Sequence, residues 1–146
     1  MRRDLRRRPK PPRAGDGRLV EALRAGLPFA LTGAQARAVA EIAADMARPE
    51  RMLRLLQGDV GSGKTVVGLL AAAHAAESGG QTAFMAPTEL LARQHFRTIA
   101  ALARAGGLGV AILTGREKGR EREAILAGLA DGSIAIAVGT HALFQE

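Results

Sequence analysis

Hydrophobic residues in this chain alternate between helical spacing and short unbroken runs. Apolar positions that recur every three to four residues predict amphipathic helices, and one almost wholly apolar segment predicts a buried helix. These helices are expected over residues 17–25, 34–47, 66–76, 89–105 and 120–129. Four apolar runs predict strands over residues 52–56, 81–86, 108–113 and 134–138. In the fourth helix the inward-facing side chains are expected to be Leu91, Phe96, Ile99 and Leu102.

One glycine-rich stretch, between the first predicted strand and the helix after it, fits the phosphate-binding P-loop. Residues 58–65 read Gly-Asp-Val-Gly-Ser-Gly-Lys-Thr, which matches G-x-x-x-x-G-K-[ST]. In such a loop Lys64 would reach the β- and γ-phosphates of a nucleotide, and the Thr65 hydroxyl would bind Mg²⁺. The phosphates would lie against the backbone of Gly58, Gly61, Ser62 and Gly63. The alternative is a glycine-rich turn that matches by chance.

The alternation of strands and helices predicts an α/β fold, a parallel sheet with helices on both faces. Ligands of such sheets bind beyond the carboxyl ends of the strands. The segments that follow the four predicted strands are residues 58–65, 87–89, 114–116 and 139–141. We therefore expect the binding site along one edge of the sheet.

Composition and charge narrow the class of protein. The 146 residues suffice for one domain or part of a larger one. Without cysteine the chain forms no disulfide or thiolate metal site, which is consistent with a reducing cytoplasm. No apolar run is long enough to span a membrane. Residues 1–17 carry seven basic and two acidic side chains, a net +5 of the chain's +7. They predict a disordered tail, which either contacts nucleic acid phosphates non-specifically or has no role.

Four segments resemble motifs of superfamily 2 helicases. Residues 27–35 resemble the adenine-recognition segment, 58–65 motif I, 85–95 motif Ia, and 138–145 the DNA-contact motif that follows. Together they are most similar to the RecG family, over residues 18–146. The transcription-repair coupling translocases are the nearest alternative, but Leu-Pro-Phe-x-Leu-Thr and Ala-Pro-Thr-Glu favour the RecG family.

This resemblance implies a RecA-like P-loop lobe of an ATP-dependent DNA helicase that uses ATP and Mg²⁺. Branched or forked duplex DNA is the implied partner, with no obligate protein partner and a cytoplasmic location. The chain ends at Glu146, before the expected Asp-Glu motif II, so residues 18–146 would be a partial first motor lobe that is inactive by itself. The alternative is a non-enzymatic nucleotide- or DNA-binding remnant. A small-molecule P-loop kinase lacks support because no lid or acceptor-site pattern is present.

The resemblance also suggests roles for single residues. The Gln35 amide can pair with an adenine edge and Phe29 can stack on the base, although a helix-start glutamine and a core phenylalanine remain the alternatives. The implied DNA contacts are Pro87, Thr88, Gln94, His95, Gly139, Thr140 and His141. The alternatives are packing against the next loop for Gln94 and His95, and a structural or exposed side chain for His141. Thr32 and Thr88 are also expected to cap helices.

Charged residues near these motifs are predicted to be exposed. Arg93 is expected to be a solvated helix residue. The alternating series after the third strand is expected to form an exposed charged helix start, with phosphate contact as the alternative. Its members are Arg116, Glu117, Lys118, Arg120, Glu121, Arg122 and Glu123.

Overall fold

The computed structural model describes residues 16–49 and 63–140. The helices are α1 (Arg18–Ala25), α2 (Gly33–Met46), α3 (Lys64–Glu77), α4 (Glu89–Ala103) and α5 (Gly119–Asp131), and a 3₁₀ turn (Arg104–Gly106) follows α4. The strands are β1 (Thr82–Met85), β2 (Val110–Leu113) and β3 (Ile136–Gly139). The predicted strand at 52–56, the P-loop before Gly63, most of the basic tail and His141 lie outside the described residues.

The three described strands form a parallel sheet in the order β1-β3-β2. Their carboxyl ends are level, because Met85 and Leu113 both pair with Gly139. The chain passes from β1 at one side of this sheet to β2 at the other, and it then returns to form β3 between them. Since crossovers between parallel strands are almost always right-handed, this strand order puts α4 and α5 on opposite faces of the sheet. The predicted α/β fold is confirmed.

The core lies between the sheet and the helices α1, α3 and α4. All four residues of β3 are buried, so both faces of the central strand are covered. The largest buried side chains around it include Leu69, Leu70 and Ile99, which are fully buried. A Cβ at Gly68 would lie 2.8 Å from the Phe84 ring, so glycine at this position lets α3 approach β1. None of the described helices has the length and apolar character needed to cross a membrane.

Side-chain caps begin α2 and α4 at the positions that the sequence predicts. At α2 the Thr32 hydroxyl accepts from the Gln35 N–H at 3.1 Å, and the Gln35 side-chain oxygen accepts from the Thr32 N–H at 2.8 Å, a complete capping box. At α4 the Thr88 hydroxyl accepts from the Leu91 N–H at 3.2 Å. Both expected caps are confirmed.

The start of α1 is stabilised from a distance. Glu77, the last residue of α3, accepts from the backbone N–H groups of Gly17, Leu19 and Val20 at 2.9, 2.7 and 3.0 Å. The local contribution is one bond, from the Arg18 N–H to the Asp16 carboxylate at 3.1 Å. The Glu77 carboxylate satisfies unpaired N–H groups at the positive end of α1 and ties that helix to α3.

The boundaries differ from the predictions by one or two residues, and one side chain points the wrong way. The prediction that Leu91 faces inward is wrong, since 38% of its surface is exposed. Leu91 lies off the buried face of α4, which is formed by Ala92, Ile99 and Ala103. Phe96 and Leu102 pack against the core as expected.

Candidate nucleotide and DNA site

The last three residues of the P-loop form the start of α3. Gly63 has a φ angle of 82°, which glycine adopts without strain, and its carbonyl accepts from the N–H groups of Val66 and Val67 at 3.1 and 3.2 Å. Lys64 and Thr65 are the first two helical residues, so their N–H groups have no carbonyl within the helix to bind. The side chain of Lys64 is exposed. The helix start thus offers N–H groups and a cation to an anion.

Gln35 lies directly against this helix start. Its side chain is buried, and a Cβ on Gly63 would overlap its amide nitrogen. Its oxygen already accepts from the Thr32 N–H in the capping box. Gln35 therefore does take part in the cap of α2. In this position its side-chain nitrogen lies next to the backbone of Gly63.

Phe29 stands on the surface ahead of α2. Its exposed fraction is 47%, so the alternative of a core phenylalanine is wrong. An exposed ring at this position is available for stacking.

The donor set at α3 fits Mg²⁺ only together with a nucleotide. In residues 16–49 and 63–140 no group of three or more His, Asp or Glu side chains could hold a metal ion by itself. The Thr65 hydroxyl is one oxygen ligand, and Mg²⁺ in such sites takes its other ligands from phosphates and water.

His95 lies at the same helix start. Its Nδ1 is 3.4 Å from the Thr65 hydroxyl oxygen. This residue of α4 is expected from the sequence to contact DNA, and the structure brings it to the P-loop helix.

The residues that follow the strands gather at one edge of the sheet, which we call the carboxyl edge (residues 86–88, 114–118 and 139–140). Pro87 and Thr88 are exposed there, Thr140 is partly buried, and Gly139 is buried at the end of the central strand. The Ala86 N–H donates to the Gly139 carbonyl at 2.9 Å, which holds two of the segments side by side. Gln94 is exposed on α4.

A buried carboxylate organises the other half of the carboxyl edge. Glu117 has an exposed fraction of 5% and accepts from the Thr114 N–H at 2.6 Å and the Thr114 hydroxyl at 2.8 Å. Arg93 donates to it at 3.1 Å. Burial by itself raises the pKa of the Glu117 carboxyl, but the hydrogen bonds from Thr114 and Arg93 outweigh burial and hold that pKa below its ordinary value.

The predictions for Arg93 and Glu117 are therefore wrong. Arg93 is not a solvated helix residue, since it bridges Glu117 and Glu89, donating to Glu89 at 3.1 Å. Glu117 precedes α5 and is buried instead of forming part of an exposed charged helix. Arg116 pairs with Glu89 at 2.6 Å, so the network joins α4 to the loop after β2. The remaining members of the series keep mostly exposed positions.

Sequence reasoning missed Glu117 and Glu77 as structural carboxylates. A signal for Glu117 was present, because a glutamate three residues after a threonine at a strand end can bond back to that threonine. Glu77 had no local signal, because its partners lie 57 to 60 residues away.

Comparisons with known proteins agree with this geometry. Residues 32–146 match the DEAD/DEAH box helicase family. The ATP-dependent DNA helicase RecG of Escherichia coli strain K12 is 50% identical over 135 residues, which cover 92% of this chain and 20% of that protein. The RecG helicase of Bacillus subtilis strain 168 is 53% identical over 120 residues, 82% of this chain and 18% of that protein. The chain thus spans about a fifth of the length of these relatives.

Two solved structures have the same fold. RecG bound to a three-way DNA junction superimposes with a TM-score of 0.90 at 46% identity, over 99% of this chain and 20% of that one. A hypothetical ATP-dependent RNA helicase from Sulfolobus tokodaii gives a TM-score of 0.61 at 20% identity, over 88% of this chain and 35% of that one, and supports the fold alone. The chain therefore belongs to the DEAD/DEAH box helicase family and, in sequence and fold, is similar to RecG helicases.

Proposed function

We propose that this chain is the nucleotide-binding part of an ATP-dependent DNA helicase that remodels branched or forked DNA in repair and recombination. The observation that supports this most is the match of 99% of the chain to RecG bound to a three-way DNA junction. Because the chain spans about a fifth of its relatives, hydrolysis, translocation and unwinding are proposed for the whole protein. Nucleotide binding and part of the DNA contact are proposed for these residues.

The start of α3 supports ATP binding. Lys64 is exposed at the positive end of the helix, where it would neutralise the β- and γ-phosphates, and the first N–H groups would donate to phosphate oxygens. The Thr65 hydroxyl would hold Mg²⁺ that arrives with the nucleotide. That ion neutralises charge on the phosphates when bound.

Base selection is proposed for the segment before α2. The Gln35 amide nitrogen lies beside Gly63 and its oxygen is held by the Thr32 N–H, so the side chain is fixed in one orientation. A fixed amide at the P-loop can donate to an acceptor on the adenine edge, and the exposed Phe29 ring can stack on the base.

DNA contact is proposed for the carboxyl edge. The phosphate-binding candidates among the described residues are Pro87, Thr88, Gln94, His95, Gly139 and Thr140, and His141 lies outside the described residues. Their hydroxyl, amide and backbone groups contact phosphates without reading sequence. A helicase that acts on chromosomal DNA in bacteria like those of its relatives would work in the cytoplasm.

Binding to a fluorescent three-way DNA junction, measured by anisotropy, tests the DNA proposal. Residues 1–15 are deleted in every variant, because the basic tail binds phosphates by charge alone, whereas Gly17 is needed for the contact with Glu77. We expect the shortened chain to bind and Thr140→Ala to weaken binding by about tenfold, the lower end of the value of a hydrogen bond to a charged group.

Thr82→Ala is the matched control, since Thr82 begins β1 at the opposite edge of the sheet. It should bind DNA like the unsubstituted chain. Loss of all binding with the tail, or equal affinities for the Thr140 and Thr82 variants, would contradict a DNA site at the carboxyl edge.

A further inference from the structure

His95 and Thr65 belong to different helices and meet at the start of α3. The Thr65 hydroxyl oxygen lies 3.4 Å from Nδ1 of His95, and both side chains are partly buried. The pair is a long hydrogen bond, and contacts at catalytic sites often tighten once the ligand is bound.

The contact between Thr65 and His95 can orient the Thr65 hydroxyl for metal binding. A threonine hydroxyl carries one proton and two lone pairs, and a lone pair must face Mg²⁺ if the oxygen is to be a ligand. An acceptor that takes the proton from the other side orients the lone pair, and Nδ1 of a neutral His95 is such an acceptor.

We propose that His95 is a positioning residue for the nucleotide-bound Mg²⁺, acting through the hydroxyl of Thr65. The inference rests on the proposed nucleotide function of the P-loop.

This assignment gives α4 two functions. Its first turn carries Thr88, and Gln94 is exposed on its surface, where both are proposed to meet DNA. His95 on the same helix contacts the residue that is proposed to bind Mg²⁺. A shift of α4 on DNA binding would therefore move the group that orients Thr65, and by linkage nucleotide binding would bias the position of α4.

The test compares the affinity of the 146-residue chain for a fluorescent ADP in excess Mg²⁺ and in EDTA. We expect His95→Ala to weaken binding in Mg²⁺ by about 10- to 100-fold, the usual effect of removing the partner that orients a metal ligand. Binding in EDTA should stay the same, because phosphates still meet Lys64 and the helix start.

Two further variants separate positioning from packing. His95→Asn places an oxygen acceptor as many bonds from the backbone as Nδ1, so it should restore most of the affinity in Mg²⁺. Thr98→Ala, an exposed change on the same helix, should bind like the unsubstituted chain and melt at the same temperature as the His95 variants. The NMR signal of the His95 ring nitrogens should also shift when Mg²⁺ is added to the ADP complex.

The inference is overturned if His95→Ala weakens binding equally in Mg²⁺ and EDTA, since that is a packing effect, or if it changes neither. It is also overturned if His95→Asn is as weak as His95→Ala. If the unsubstituted chain binds no nucleotide in either condition, the P-loop proposal fails and this inference fails with it. A Mg²⁺-specific loss that Asn restores supports the assignment.

Discussion

The buried carboxylate of Glu117 should contribute strongly to the stability of the carboxyl edge, and Glu117→Gln tests this. In the folded chain one Glu117 oxygen accepts two hydrogen bonds from Thr114 and the other accepts one from Arg93. An amide has a single acceptor oxygen, so its NH₂ group must face either the Thr114 donors or the Arg93 guanidinium. Glutamine at position 117 therefore loses the hydrogen bonds from either Thr114 or Arg93. Its buried NH₂ group then faces the donors that have lost their acceptor.

The expected cost follows from the bonds lost. A hydrogen bond to a charged group is worth about 1.5–3 kcal/mol, and an unsatisfied buried donor costs about 1–3 kcal/mol. Arg93 keeps its bond to Glu89, which limits the damage. We expect Glu117→Gln to lower the free energy of unfolding by about 3 kcal/mol, which for a chain of this size lowers the melting temperature by about 10 °C.

Urea and thermal unfolding of the 146-residue chain measure this loss. Glu123→Gln, the same substitution at an exposed position of α5, should change the free energy of unfolding by less than about 0.5 kcal/mol. If the two variants are equally stable, the network does not hold the carboxyl edge together and the reasoning is refuted.

The pH dependence gives a second readout of the same group. The pKa of Glu117 is lower in the folded chain than its ordinary value of 4.5. Ionised Glu117 therefore stabilises the fold fully above the unfolded pKa, and this contribution is lost as the pH falls through the lower folded pKa. The difference in stability between the unsubstituted chain and Glu117→Gln should be constant from pH 6 to 8, since both titrations lie below that range, and should shrink as the pH is lowered from about 5.

Two other substitutions test single roles. Glu77→Ala should destabilise the chain by about 2 kcal/mol in thermal unfolding, because three N–H groups of α1 lose their acceptor, and Glu77→Gln should cost less since one oxygen remains. Gln35→Ala removes the amide that is proposed to read adenine without adding a charge beside the phosphates, so ATP affinity should fall about tenfold while GTP affinity holds, and equal losses for both nucleotides would limit Gln35 to capping.

Elements that depend on neighbours in sequence were predictable. Thr32 and Thr88 cap helices because a hydroxyl at that position finds its own backbone within three residues. The order of strands and helices also followed from the pattern of apolar runs. The start of β2 was less predictable: the Leu108 N–H still donates to the Ala103 carbonyl at 3.3 Å, so the apolar residue predicted to begin the strand belongs to the end of α4.

Contacts between elements could not be read from local patterns. The ion pair between Arg93 and Glu117 spans 24 residues and exists only because α4 packs beside the loop after β2. The meeting of Thr65 with His95 likewise depends on how α3 and α4 lie together. Arg93, Glu117 and His95 are residue types that usually lie on protein surfaces. The sequence therefore predicted solvent exposure for Arg93 and Glu117, and DNA contact for His95.

The central claim is that the start of α3 binds the phosphates of ATP, and calorimetry of ATP binding in Mg²⁺ and low salt tests it most directly. Lys64→Ala should weaken binding at least tenfold, roughly the value of a hydrogen bond between two charged groups. Arg104→Ala removes an exposed cation at the far end of α4 and should leave the affinity unchanged. Equal ATP affinity for the unsubstituted chain and the Lys64 variant would contradict the assignment.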